Sequence, residues 1–476
     1  QDLDDIQSLR QLCSIFKVMI CLNDGALLEV LLSDSFFVSM AGVFEYDPEL
    51  KHKGEHRKFL QHTARLKQIL PLEDAEVIAK INQNFRVMFL KDVLLRPMMD
   101  DAVVSTLNSV TFFNNDEIIS HMYHESDYLK KVFDLLRLGV GGEGGKGDGT
   151  EIDRQRRRDT LMFLRELFAK AKTLQMTQRD AFYRYLWNEV NFLDVFTPIL
   201  KDPLSTVGER TGCMEVLLCS LVHDPSFMRM YIVKKGSHPP HPPHVAGQIK
   251  AVSRSLTSDT DMGVLVQASE ICRMCLDTET MDSQTDRDNL LGTFYDHYIH
   301  WLVEPFWGSS GDGNGQGNGT AGVGASNALA EMADASVASK TSLGLVCDLL
   351  SFCVRSHTYR MKYVVLRHNI ISGVLNVLQQ KDSFLKLAVV RFLRSCISIK
   401  DEFYNRYFVK NNLLAPVFAL LRENLGKDNL INSAIIEMRL LEDDEAYFNG
   451  SDDEEDVAHN SNATTDAVGP RPPAQG

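Results

Sequence analysis

An all-α fold of stacked helical repeats is predicted by three observations. Apolar residues recur at helical spacing almost throughout, as at Leu27, Leu28, Leu31 and Leu32, at Leu161, Leu164, Leu167 and Phe168, and at Leu413, Leu414, Val417, Leu420 and Leu421. Strand-like alternation never persists. The stretch KDEFYNRYFVKNNLLAPVFALL, residues 400–421, has near-copies upstream. At 476 residues, with 44% hydrophobic and 24% charged content, the chain has an ordinary globular composition and enough apolar side chains for one long core or several short ones.

The copies align on an aromatic residue, three positions, then Tyr and two apolar positions. FMRMYIVKKG (Phe227 to Gly236), YRMKYVVLRHN (Tyr359 to Asn369) and FYNRYFVKNN (Phe403 to Asn412) fit this pattern, with Tyr231, Tyr363 and Tyr407 in register. In the last two, NIISGVLNVL from Asn369 matches NLLAPVFALL from Asn412, and each Asn is expected at a helix N-cap. A third helix is expected in both, from SFLKLAVVRFL at Ser383 and DNLINSAIIEM at Asp428. The period is about 43 to 46 residues, which suits HEAT or armadillo units of two or three helices. Such a unit cannot bury its apolar stripe alone, so stacking on its neighbour is the physical reason for repetition, and the product is a helical-repeat solenoid, whose usual use is an extended surface for binding other proteins. The three tyrosines are expected in the inter-repeat core. Lys400, Asp401, Glu402, Arg406 and Lys410, at turns and helix ends, are candidates for a partner surface, beside the plainer reading as solvated helix ends.

Taken in order, the chain reads as a helical region over 1–138, a glycine-rich loop at 139–150, and helical repeats over 151–307 with a His/Pro connector at 236–244. A Gly/Ala/Ser-rich insert at 308–335, C-terminal armadillo-like repeats at 336–438 and an acidic tail at 439–476 follow. The formal net charge is -14, and residues 438–476 hold ten acids against two arginines, so the acidity is concentrated in that tail. This argues against a general nucleic-acid surface, which needs clustered Lys and Arg. Self-repulsion and low apolar content predict a disordered tail. Within it, Ser451 precedes a run of acids and suits an acidophilic kinase.

Nine cysteines without a framework, several at apolar helical positions, predict reduced thiols in a cytosolic or nuclear compartment. No apolar run approaches the roughly 18 residues of a membrane span. The first residues, QDLDDIQ, do not resemble a signal peptide, and the absence of an initiating Met points to a fragment.

The motifs of chemistry each fail on context, so no catalytic residue, cofactor or metal is expected. GGEGGKGD would need Gly at Val140 and Ser or Thr at Gly147 to cradle a phosphate. Gly317, Gly319 and Gly322 form G-x-G-x-x-G inside low-complexity sequence with no preceding strand. Cys272 and Cys275 stand alone as C-x-x-C in a helical pattern, which favours packed thiols over zinc. His238, His241 and His244 are spaced by prolines, as in an exposed connector. No elbow-type G-x-S-x-G occurs. Glu45, Asp47, Glu49, His52 and His56 form a polar cluster, but Asp-Pro marks a turn and the charges after it an exposed helix start. RQRRR (154–158) reads as the solvated first turns of a helix before it reads as a localisation patch.

The stretch LLEVLLSDSFFVSMAGVFEYDPELKHKGEHRKFLQHTARLKQILPL (27–72), with KINQNFRVMFLKDVLLRPMMDDAVVSTLNSV (80–110), resembles the central domain of regulatory subunit 3 of serine/threonine-protein phosphatase 4, the SMEK or falafel family. RDAFYRYL (179–186), FYDHYIHWLVEPF (294–306), LLSFCVRSHTYRMKYVV (349–365), IKDEFYNRYFVKNNLLAPV (399–417) and NLINSAIIEM (429–438) fall in the family's order. The resemblance implies an armadillo-like scaffold, not itself catalytic, that joins the phosphatase 4 catalytic subunit to a second regulatory subunit and directs them to phosphoprotein substrates. Nuclear and cytoplasmic localisation and a part in the DNA-damage response and in signalling are implied with it. Motif match and expected exposure add Glu45, Asp47, His56, Arg57, Lys91 and Asp92 to the candidate partner-binding residues. Two departures stand out: nothing corresponds to the family's N-terminal PH/EVH1-like domain, and after Glu437 the sequence passes directly to LLEDDEAYFNGSDDEED, which resembles the family's distal acidic tail.

A generic helical adaptor of transport type would carry a regular inner ladder of Asn and Trp. Trp187, Trp301 and Trp307 do not follow the repeat. An enzyme would need perturbed acids or a cofactor loop.

Overall fold

The computed structural model describes residues 6–50, 54–95, 100–125, 127–138, 151–236, 248–307 and 337–438, and among these there is no strand. The all-α expectation is borne out. Most of 139–150, 236–244 and 308–335, together with the acidic tail, Ser451, His52, His238, His241, His244 and both glycine motifs, lies outside the described residues. The chain divides into two compact units between Tyr298 and Ile299.

The first unit begins with α1 (Ile6–Cys21), α2 (Gly25–Leu31) and α3 (Asp34–Phe44), then α4 (Ala75–Phe89), α5 (Asp101–Ser120) and α6 (Tyr128–Leu138). Cys13, Phe16, Leu28, Phe37, Val87 and Leu107 share one core beneath α1 to α5. Three-helix repeats follow: α7 (Glu151–Ala171), α8 (Met176–Tyr185), α9 (Leu193–Lys201), α10 (Val207–His223), α11 (Pro225–Gly236), α12 (Gln248–Ser258), α13 (Met262–Leu276) and α14 (Gln284–His297). The longest helix of each repeat stacks on its counterpart, α7 on α10 on α13, and α9 packs on α12 in the same way. This is the physical content of repetition: each unit's apolar stripe is buried by the next. The starts at 151, 207 and 262 give a longer period than the sequence predicts for the other unit. Asp24, Asp74, Asp261 and Ser283 cap their helices by side chain, and Thr206 with Glu209 forms a capping box on α10.

The second unit holds α15 (Ile299–Val303), α16 (Val337–Ser356), α17 (Thr358–Arg367), α18 (Ile370–Asn376), α19 (Ser383–Ile397), α20 (Glu402–Lys410), α21 (Ala415–Glu423) and α22 (430–438). The third helices expected at 383 and 428 are present as α19 and α22. α16 packs along α19, with Leu343, Val346, Cys347 and Leu350 buried.

Three expectations are corrected. α16 has 20 residues and a mean hydropathy of 1.5, long and apolar enough to cross a membrane by length and composition, as two bent pairs would be if each counted as one span. A search for an unbroken apolar run misses it because Lys340 and Asp348 interrupt the sequence. Asn369 and Asn412 do not cap by side chain: both adopt left-handed backbone, with φ of 48° and 50°, which Asn tolerates better than most residues. Arg157, within the arginine run, is 4% exposed where solvation was expected, because the face that carries Leu161 and Leu164 also carries position 157.

Candidate partner-binding surface

In the second unit, the backbone turns at Ser398 to Lys400, where Lys400 has φ 55° and its N–H donates to the Ile397 carbonyl at 3.1 Å. The turn sets Asp401 at the start of α20. Its Oδ1 accepts from the Phe403 N–H at 2.9 Å, and its other oxygen pairs with Lys362 of α17. The Lys362 bond and the Phe403 N–H hold its carboxyl below the usual carboxylate range. Lys362 Nζ also lies 5.8 Å from the Phe403 ring centroid. Phe403 stacks parallel on Tyr407, with centroids 6.2 Å apart, and the Tyr407 hydroxyl donates to Asn369 Oδ1 at 2.9 Å. Glu402 and Arg406 pair one turn apart.

Lys362, Asp401, Glu402, Phe403, Arg406 and Tyr407, with Lys400 and Lys410, line an open cleft of about 610 Å³. The structure therefore brings together Lys400, Asp401, Glu402, Arg406 and Lys410, the five candidates of the repeat segment. Four cations face two carboxylates. Lys362 and Arg406 each hold a carboxylate, which leaves the exposed ammonium groups of Lys400 and Lys410 without an ion pair among the described residues.

The aromatic register departs from expectation. Tyr231 is buried, with its hydroxyl on Asp194, as expected. Tyr363 is 60% exposed, and Tyr407 is half-buried and lines the cleft. The inward stripe of α20 is Tyr404 and Phe408, one turn apart, so Phe403 and Tyr407 rotate outward. In α17 the stripe is Met361, Val364 and Val365, which turns Tyr363 to solvent. Matching on the repeated Tyr selected a position beside the core stripe.

In the first unit, most of the candidates are engaged in contacts within the unit. Glu45 is 9% exposed, contrary to the expected exposure. Its Oε1 accepts from the Arg57 N–H at 2.8 Å, and its Oε2 pairs with the Arg57 guanidinium at 3.2 Å. Asp47 pairs with Lys17 at 2.8 Å. His56 meets Phe89 edge-on at 5.8 Å, and burial pushes its imidazole down against the field of Glu45. Lys91 donates to Asn108 Oδ1 at 2.6 Å, and Asp92 is exposed. Among the described residues, no group of three or more His, Cys, Asp or Glu is placed to hold a metal ion.

Other anchors were missed by sequence reasoning. Arg157 donates to Glu209 at 2.6 Å and Asp202 at 2.9 Å. Arg229, 3% exposed, closes the end of α13 through the carbonyls of Met274, Cys275 and Asp277 and the Thr280 hydroxyl. Cys272 and Cys275 are fully buried on that helix. No local signal joins residues about 45 positions apart. A further repeat copy was legible: AFYRYLWNEVNFLDVF (181–196) places Tyr183 where Tyr404 stands and Asn191, φ 50°, where Asn412 stands.

The chain is similar to known proteins along nearly its whole length. The family model described as phosphatase 4 regulatory subunit 3 matches residues 1–442. Serine/threonine-protein phosphatase 4 regulatory subunit 3 of Drosophila melanogaster is 30% identical over 447 residues, covering 92% of this chain and 42% of the relative. Suppressor of Mek1 of Dictyostelium discoideum is 30% identical over 447 residues, covering 90% of this chain and 39% of the relative. The chain thus spans about two fifths of the length of these curated relatives.

Proposed function

Because the chain belongs to the phosphatase 4 regulatory subunit 3 family, we propose that it is a non-catalytic scaffold that joins the phosphatase 4 catalytic subunit and a second regulatory subunit and presents phosphoprotein substrates to them, in nucleus and cytoplasm. The observation that carries the choice of surface is the cleft of the second unit, where charged and aromatic side chains that the core does not use converge. Repeat proteins bind through such extended faces. The first unit's candidates support the reading less directly, since Glu45 pairs with Arg57 and Asp47 with Lys17 inside the unit.

The test is a pull-down of the full chain against the phosphatase 4 catalytic subunit, with and without the second regulatory subunit, and again after Arg406→Glu with Lys410→Glu. Retained complex that the reversal weakens by tenfold or more supports both the function and the surface. Retained complex indifferent to the reversal overturns the surface. No complex, where a longer family member forms one, overturns the scaffold reading for this chain.

A further inference from the structure

The described chain ends near the helix end that leads into the cleft of the second unit. Glu437 of α22 pairs with Arg394, which stands in the last turn of α19. Lys400 follows the end of α19 by three residues, so the Arg394 and Lys400 Cα atoms are within about 15 Å of each other. The described chain thus ends at Met438 beside the C-terminal end of α19, the helix that leads into the cleft. From there, Glu442 is four residues on, within about 13 Å of reach, and Ser451 thirteen residues on, within about 43 Å.

That following segment is complementary to the cleft. Residues 442–456, EDDEAYFNGSDDEED, carry nine acids, no Lys or Arg, and the adjacent rings Tyr447 and Phe448. The cleft offers Lys400 and Lys410, with Lys362 and Arg406 already paired to Asp401 and Glu402, around the Phe403 and Tyr407 stack, a net excess of two cations. Acidic groups meet ammonium and guanidinium groups, and the two rings meet an aromatic platform. A tethered segment acts at an effective concentration of about millimolar for a short linker, so even weak pairing suffices to hold it.

We propose that residues 442–456 are the occupant of the cleft of Lys400, Arg406 and Lys410, docking in cis in competition with outside partners, and that phosphate on Ser451 strengthens the docking. The regulatory consequence rests on the reading of this cleft as a partner surface; the docking itself does not. Added phosphate brings about two negative charges and three acceptor oxygens to an already acidic ligand.

The test needs no phosphatase, so its failure is distinct from failure of the scaffold reading. A fluorescent peptide of residues 440–457 is titrated into the full chain and into a full chain whose nine acids are changed to Asn and Gln, with binding read by anisotropy at low and high salt. The neutralised chain is expected to bind the peptide, and the natural chain at least tenfold more weakly, because its own segment competes. Arg406→Glu with Lys410→Glu in the neutralised chain should weaken binding at least tenfold. Lys400→Asn, which disturbs no ion pair, should weaken it severalfold should the double reversal fail to fold. The Ser451 phosphopeptide should bind severalfold tighter. Equal binding by natural and neutralised chains overturns the proposal, as does binding unaffected by the cleft substitutions. Competition that grows with protein concentration assigns the segment to a second copy and overturns docking in cis.

Discussion

Arg157→Met removes one guanidinium from the interior of the first unit while keeping most of its apolar stem. Glu209 is 2% exposed and would lose its 2.6 Å partner. Asp202, whose side chain is 25% exposed, can turn to water. Breaking a buried ion pair from one side costs about 3–5 kcal/mol, because the remaining charge stays desolvated. Glu209 keeps the Thr206 N–H at 2.7 Å and the Thr206 hydroxyl at 2.9 Å, so the lower end, about 3 kcal/mol, is expected. With two compact units, a single unfolding free energy of the whole chain is ill-defined. The assay is therefore amide hydrogen exchange. Amides of α7 and α10 that exchange through opening of this region should speed up by about 150-fold, while those of α19 stay unchanged as an internal control. Arg157→Met with Glu209→Met removes both charges and should recover all but about 1–2 kcal/mol, the remainder being the lost capping box. Unchanged exchange in α7 and α10 after the single substitution, or a double variant as costly as the sum of its parts, would refute the argument.

Gly42→Ala would set a methyl group against the stem of Arg57, with its Cγ 2.6 Å away. Displacing that side chain takes the guanidinium from Glu45, which keeps the Arg57 backbone N–H, a loss of about 1–3 kcal/mol, read as faster amide exchange in α3. Asn412→Ala should cost about 1 kcal/mol while Asn412→Gly costs little, since φ of 50° is strained for Ala alone; exchange in α21 checks it. Acid should weaken the first unit in two steps. Burial lowers His223, which stacks on Tyr183 and faces Asp180. The unfolded imidazole then gains its proton first, and stability present above about pH 6.5 falls as pH drops toward the folded pKa. Burial alone would raise Glu209, but the Arg157 and Thr206 bonds outweigh it and hold it low. Its contribution is thus present above the ordinary Glu range and lost below it. His223→Gln should reduce the first step, to which His56, also lowered by burial, contributes, and Glu209→Gln should reduce the second in a circular-dichroism titration.

Sequence alone determined the class of structure. Helical spacing of apolar residues, caps such as Asp382 and Asp401, and a third helix after each aromatic segment depend on neighbours within four residues, where periodicity is an adequate guide. The five charged residues from Lys400 to Lys410 were legible as a group for the same reason: they occupy one turn and one short helix. Tertiary structure decided what each side chain meets. Glu45 and Arg57 stand twelve residues apart and Arg157 and Glu209 fifty-two, and nothing in either local pattern states that one charge will neutralise the other. The burial of Arg157 and the exposure of Tyr363 follow from which way each helix rolls on its neighbour. That roll is set by packing across the repeat interface: an outward aromatic beside the core stripe costs little, whereas an unpaired inward charge costs several kcal/mol, about 3–5 for a broken buried pair.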